Sequence, residues 1–200
     1  MLRKLKIKAL QLWVNTGRHV FSKSCNLLYH AKIMTCNKAM QKVKDQYAGL
    51  KLCKTEQDAV DFLYRQKRYK PDPLHGKADW SGSLATCLYR DDFDCDDFAV
   101  LTSYLLQNIY GGTRKQLAFI HPHGEAHCIG YIEKKDKDGI HEGFLMDYHD
   151  IVPANTLTQA AKFYHKKYCQ NKGSYEDVII LNVPEVQSPK GIFEEDFYGI

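Results

Sequence analysis

The chain has 200 residues, 44% hydrophobic and 26% charged, enough for one sizeable core and short for two. Its formal net charge of +4 is uneven: residues 1–44 hold ten Lys or Arg and no Asp or Glu, so they carry +10 and the rest −6. No run approaches the ~18 to 20 consecutive apolar residues of a bilayer-spanning helix, which excludes an integral membrane protein at the level of sequence. The positive start is followed by a short apolar run, 9–14, which Gln11 interrupts and Asn15 closes. That is too short and polar for a signal peptide, and eight Lys to two Arg does not suit a mitochondrial presequence. Seven cysteines, at 25, 36, 53, 87, 95, 128 and 169, form no Cys-x-x-Cys pair. Neither a disulfide framework nor a zinc ribbon is predicted, and a reducing, cytoplasmic setting is expected.

Residues 1–46 read as a basic, helical arm, with Leu2, Leu5, Ala9, Leu12 and Trp13 at helical spacing. Such a helix either packs on the body or meets an acidic partner, nucleic acid or an anionic surface. The body, 47–200, begins where the charge changes. A helix is predicted from Thr55, because Thr-Glu-Gln-Asp places an acid three positions after a capping hydroxyl, and it should stop before Pro71. Residues 70–90, with Pro71, Pro73, Gly76 and Gly82, read as an irregular approach. The best helix runs over 95–110, with Phe98, Leu101, Leu105 and Ile109 on one stripe, Asp94 as its cap and Gly111-Gly112 past its end. Then the period changes. Runs at 115–121, 126–134, 141–147 and 177–183 read as strands, with a hairpin loop over 134–139 and a helix from Asn155 to about Lys167. Helices followed by an antiparallel sheet make an α+β pattern.

Cysteine chemistry needs a thiolate, which a helix N-terminus favours. Cys95 stands at one, but Asp92, Asp94, Asp96 and Asp97 oppose ionisation, so an imidazole is expected to supply the positive partner. His127 alternates with Ile129 and Tyr131 at the start of a strand, where an imidazole can meet the thiol. Asp147 ends the next strand, across the hairpin, where it can fix the tautomer of that imidazole; Asp150 is its rival.

The string Phe93-Asp94-Cys95-Asp96-Asp97-Phe98-Ala99 resembles the Gly-Asp-Cys-Asp-Asp-x-Ala signature of transglutaminase-like proteins, a branch of the papain-like cysteine peptidase superfamily. The resemblance covers roughly residues 70–150. It implies a papain-like core in which a nucleophile helix packs on an antiparallel sheet, and a Cys95, His127, Asp147 triad performing acyl transfer through a thioester. Phe93 departs from the pattern, standing where the family usually has Gly. The Cys95 N–H is an expected oxyanion donor, but no Gln lies between Gln66 and Cys95 to serve as the papain-type second donor. The Trp80 indole N–H is the candidate, set against a plain aromatic under the approach loop.

No cofactor and no metal are expected. His121-Pro122-His123 with His127 and Cys128 matches no zinc spacing, and His121 and His123 read as a solvated loop. The substrate class is a protein, peptide or amide. By analogy with small stand-alone relatives, water is the expected acceptor, giving a peptidase or amidase. The alternatives are crosslinking or deamidation of protein glutamine, and a non-catalytic module that docks to a virion or to nucleic acid. The expected location is cytoplasmic, or virion-associated if the chain is phage-encoded.

Overall fold

The basic N-terminal segment folds as three helices. These are α1 (Leu2–Trp13), α2 (His19–Thr35), joined to α1 by a π-helical turn, and α3 (Asn37–Leu52). The computed structural model describes residues 2–66, 68–70, 82–135, 141–189 and 192–193. Trp80 and most of the expected 134–139 loop lie outside the described residues. The charge boundary near residue 46 falls inside α3. Ile33, Val43 and Leu50 are buried in one core with Leu101 and Leu105, so the lysines of this segment decorate helices that belong to the main packing unit.

Helix α4 (Glu56–Gln66) begins as the capping pattern predicts: the Asp58 N–H donates to Thr55 Oγ1 at 3.2 Å, and the Thr55 N–H to Asp58 Oδ2 at 2.9 Å. Residues 71–81 of the expected approach lie outside the described residues; its end forms α5 (Leu84–Tyr89), and the segment is flanked by β1 (Arg68–Tyr69) and β2 (Asp92–Phe93), which pair in parallel. The six-residue α5 forms because its start is tied to α2. Asn26 Oδ1 accepts from the Ser83 N–H and from Thr86 Oγ1, both at 2.7 Å.

Helix α6 (Cys95–Tyr110) follows its predicted bounds and ends at Gly111, whose φ of 71° suits glycine. The sheet comprises β3 (Thr113–Ile120), β4 (His127–Lys135), β5 (His141–Asp147), β6 (Asp150–Pro153) and β7 (Ile179–Val183). Its order is β6-β5-β4-β3-β7, antiparallel throughout. Between β6 and β7 runs α7 (Leu157–Tyr168), capped by a reciprocal Thr156–Gln159 box, while Asn155 accepts from the Gly143 N–H. The architecture is α+β.

Alternation on the strands sends Ile132 and Met146 toward α6, and Ile129, Tyr131 and Leu145 toward Ala160, Ala161 and Tyr164 of α7. Gly130 lets α6 sit directly on β4. A Cβ there would lie 2.2 Å from Thr102 Oγ1 and 2.7 Å from the Ser103 nitrogen. Among the described residues, no helix is long and apolar enough to cross a membrane.

Candidate functional site

Cys95 is the first residue of α6 and half-buried. Asp94, in extended conformation, turns its carboxylate onto the N–H groups of Asp96 (3.1 Å) and Asp97 (3.3 Å), which fixes where the helix begins. Phe93, in the place of the expected Gly, is fully buried and meets the Phe98 ring edge-on at 5.6 Å. The residue before the cap is thus an anchor. The Cys95 sulfur lies 3.9 Å from Asp96 Oδ1.

Two of the acids around the thiol have basic partners of their own. Asp97 is wholly buried and pairs with Arg90 at 2.7 Å, while its other oxygen accepts from the Gly82 N–H at 2.9 Å. Asp92 pairs with Lys70 at 3.3 Å. The imidazole of His127 is bonded elsewhere. Its Nε2 lies 2.7 Å from Asp147 Oδ1, with both side chains buried. Asp150, the rival, sits on β6 and meets Lys167 instead.

Two residues to which the sequence assigned no site role, one of them the Lys167 of the expected helix end, bond to this dyad. Tyr168, the last residue of α7, donates to Asp147 Oδ2 at 2.6 Å and lies 2.9 Å from His127 Nε2. Lys167 pairs with Asp147 Oδ2 at 2.7 Å and also with Asp150. Burial works to raise the Asp147 carboxyl pKa, but the bonds from His127, Lys167 and Tyr168 outweigh it and hold the group below the ordinary carboxylate range. The tautomer follows from the network. Because the Tyr168 proton goes to Asp147, the Tyr168 oxygen presents a lone pair to Nε2. Nε2 therefore carries the hydrogen, and Nδ1 is the basic nitrogen.

His127 shares the strand face of Ile129 and Tyr131, which meet α7, whereas Cys95 packs with Cys128 and Ala99 on the α6 side. The two groups are on opposite sides of the sheet. Because Gly130 sits on Ala99 to Ser103, the start of β4 lies toward the start of α6. Tyr148 bridges the gap, edge-on to Phe98 at 4.8 Å and tilted against His127 at 5.5 Å. Burial, then the proximity of Cys95, raises the Tyr148 pKa; burial and the bond to Asp147 raise that of Tyr168, with Cys95 the smallest of its causes. Tyr148 has φ of 55°, a left-handed turn residue that folds its ring back over the strand end. On the Asp147 side of this group lies an open cleft of about 520 Å³ lined by Tyr64, Tyr69, Phe98 and Tyr148 and by Asp147, His149, Asp150 and Lys167, with neither Cys95 nor His127 in its lining. Tyr69 is delivered there by the short β1–β2 pairing.

His121 is buried rather than solvated. Its Nε2 bonds to the Ser174 carbonyl at 3.1 Å, and its Nδ1 accepts the His123 N–H at 3.1 Å. The structure groups it not with His127 and Cys128 but with His165 and Cys169, whose ligand atoms all lie within 4.8 Å. His165 Nε2 bonds in turn to the Lys172 carbonyl at 3.0 Å. These bonds hold a turn containing three left-handed residues, Gln170, Asn171 and Gly173. To take a metal, His121 would have to surrender one of its two ring bonds, so the cluster reads as a polar clasp on that turn.

Family models give no match to this chain, and neither do curated proteins.

Proposed function

We propose that the protein is a cysteine-dependent acyl-transfer enzyme with a papain-like core, in which Cys95 is the nucleophile, His127 the general base and Asp147 the group that orients the imidazole. The observation that carries this reading is the buried His127–Asp147 pair, with Tyr148 in contact both with His127 and with Phe98 of the Cys95 helix. In the reaction, the Cys95 thiol proton passes to His127 Nδ1 as sulfur attacks a carbonyl carbon. The C–N bond then breaks, the leaving amine takes the proton, and a thioester remains. A water molecule, deprotonated by His127, attacks the thioester and restores the thiol as the acid departs. The aromatic-lined cleft suits a peptide or amide substrate, and water remains the proposed acceptor by family resemblance.

An activated ester such as p-nitrophenyl acetate tests the reading. A burst of p-nitrophenol and an acetyl group on Cys95 are expected, both absent in Cys95→Ser. A burst that survives Cys95→Ser contradicts the assignment. Competition between water and a primary amine for the same acyl-enzyme then separates hydrolysis from crosslinking.

A further inference from the structure

The second helix is amphipathic in the inverted sense. The face of α2 that meets the body is largely polar: Ser22 and Asn26 are buried beside Ile33, with Asn26 bonded to Ser83 and Thr86, and His30 Nε2 lies 2.7 Å from Ser83 Oγ. The outward face carries Val20, Phe21, Leu27, Leu28 and Met34, of which Leu27 is 66% and Leu28 77% exposed. A helix of a water-soluble domain ordinarily turns such residues inward. At ~100° per residue these five side chains span about 140° of the helix circumference. Lys23 stands at one margin and Lys32 at the other. Leu12 and Trp13, at the end of α1, are exposed as well.

Charge selects what covers this face. Residues 1–44 contain ten basic residues and no acidic one, so a second copy would bring two strongly positive segments together. Nucleic acid would satisfy the lysines but leave five large apolar side chains against phosphate. An interfacial bilayer site satisfies both, with apolar side chains among the acyl chains and flanking lysines reaching anionic headgroups. We propose that α2, with the end of α1, is a docking surface for an anionic lipid bilayer. It lies flat on the membrane and does not cross it. The proposal is independent of the acyl-transfer reading, since its test reads vesicle binding and not thiol chemistry.

Co-sedimentation of the full chain with vesicles provides the test, using phosphatidylcholine alone and phosphatidylcholine mixed with phosphatidylserine. Binding is expected only to the mixed vesicles, reduced by high salt and weakened about tenfold or more by L27S/L28S. Both leucines are exposed, so the doubly substituted protein should melt like the parent. A charge variant, Lys23→Glu, should weaken binding without altering the apolar face. No binding to the mixed vesicles, equal binding to both kinds, or binding indifferent to L27S/L28S overturns the proposal. So does a self-associated species in sedimentation velocity that these substitutions dissolve, or duplex-DNA binding that they weaken.

Discussion

Asp147 accepts from three side chains, and each does a different job. His127 donates its Nε2–H and is thereby held in one tautomer, Tyr168 donates its hydroxyl to the other oxygen, and Lys167 adds a positive charge that keeps the carboxylate ionised. Replacing Tyr168 by Phe keeps the ring against His127 and removes only the hydroxyl. We expect this to cost about 1 to 2 kcal/mol in urea unfolding and to slow thiol acylation several-fold. The lowered Asp147 pKa also sets a pH dependence. A carboxylate depressed in the folded state stabilises above its unfolded pKa and ceases to do so as pH falls through the folded value. The stability gap between the parent and Asp147→Asn should therefore be full at neutral pH and shrink below about pH 4, as read by unfolding at a series of pH values. Arg90 carries a separate prediction. Asp97 is wholly buried, so Arg90→Met strands its charge and should destabilise by about 3 to 5 kcal/mol in the same assay. Cys95, His127 and Asp147 could be singled out from sequence because each has a chemically loaded side chain at the end of a periodic element. Tyr168 and Lys167 could not, because the end of α7 reads locally as a basic helix terminus. Only the sheet order brings it over the start of β4.

Elements with strong periodicity were legible: α4, α6, β3, β4, β5, α7 and β7 were all expected, with ends displaced by a few residues at most. The missed elements are short and depend on distant partners. Helix α5 needs Asn26 from α2, β1 and β2 are two residues each, and β6 is a four-residue edge strand. Their stability is tertiary, so no local signal announces them. The seating of α6 on β4 is likewise invisible in the pattern and rests on Gly130. Gly130→Ala places a Cβ against Thr102 Oγ1 and the Ser103 backbone, forcing the helix away from the strand. The expected result is a loss of about 1 to 3 kcal/mol, together with slower Cys95 acylation because the Cys95 end of the helix shifts against the sheet. Stability retained with unchanged acylation would mean that helix seating does not position the thiol.

At the scale of the molecule, the split between a +10 segment and a −6 remainder marks a difference in surface, while the packing runs straight through it. Ile33, Val43 and Leu50 enter the core that contains Leu101, and Gln11 reaches the Asn182 carbonyl of β7 at 2.8 Å. Composition showed where the positive charge lies but not that its helices are built into the body, because lysines on an outer face leave the inner face free to pack. Two of the acids near Cys95 likewise find partners within the body, Asp97 at Arg90 and Asp92 at Lys70, which in the proposed reaction leaves His127 for the thiol. That division of labour is the central claim, and the pH dependence of iodoacetamide alkylation tests it most directly. Cys95 should react well ahead of Cys25 and Cys169 at about pH 6 to 7, and His127→Ala should move its rate profile up toward that of an ordinary thiol near pH 8.5. Alkylation of Cys95 no faster than that of Cys25, with a profile unmoved by His127→Ala, would contradict it.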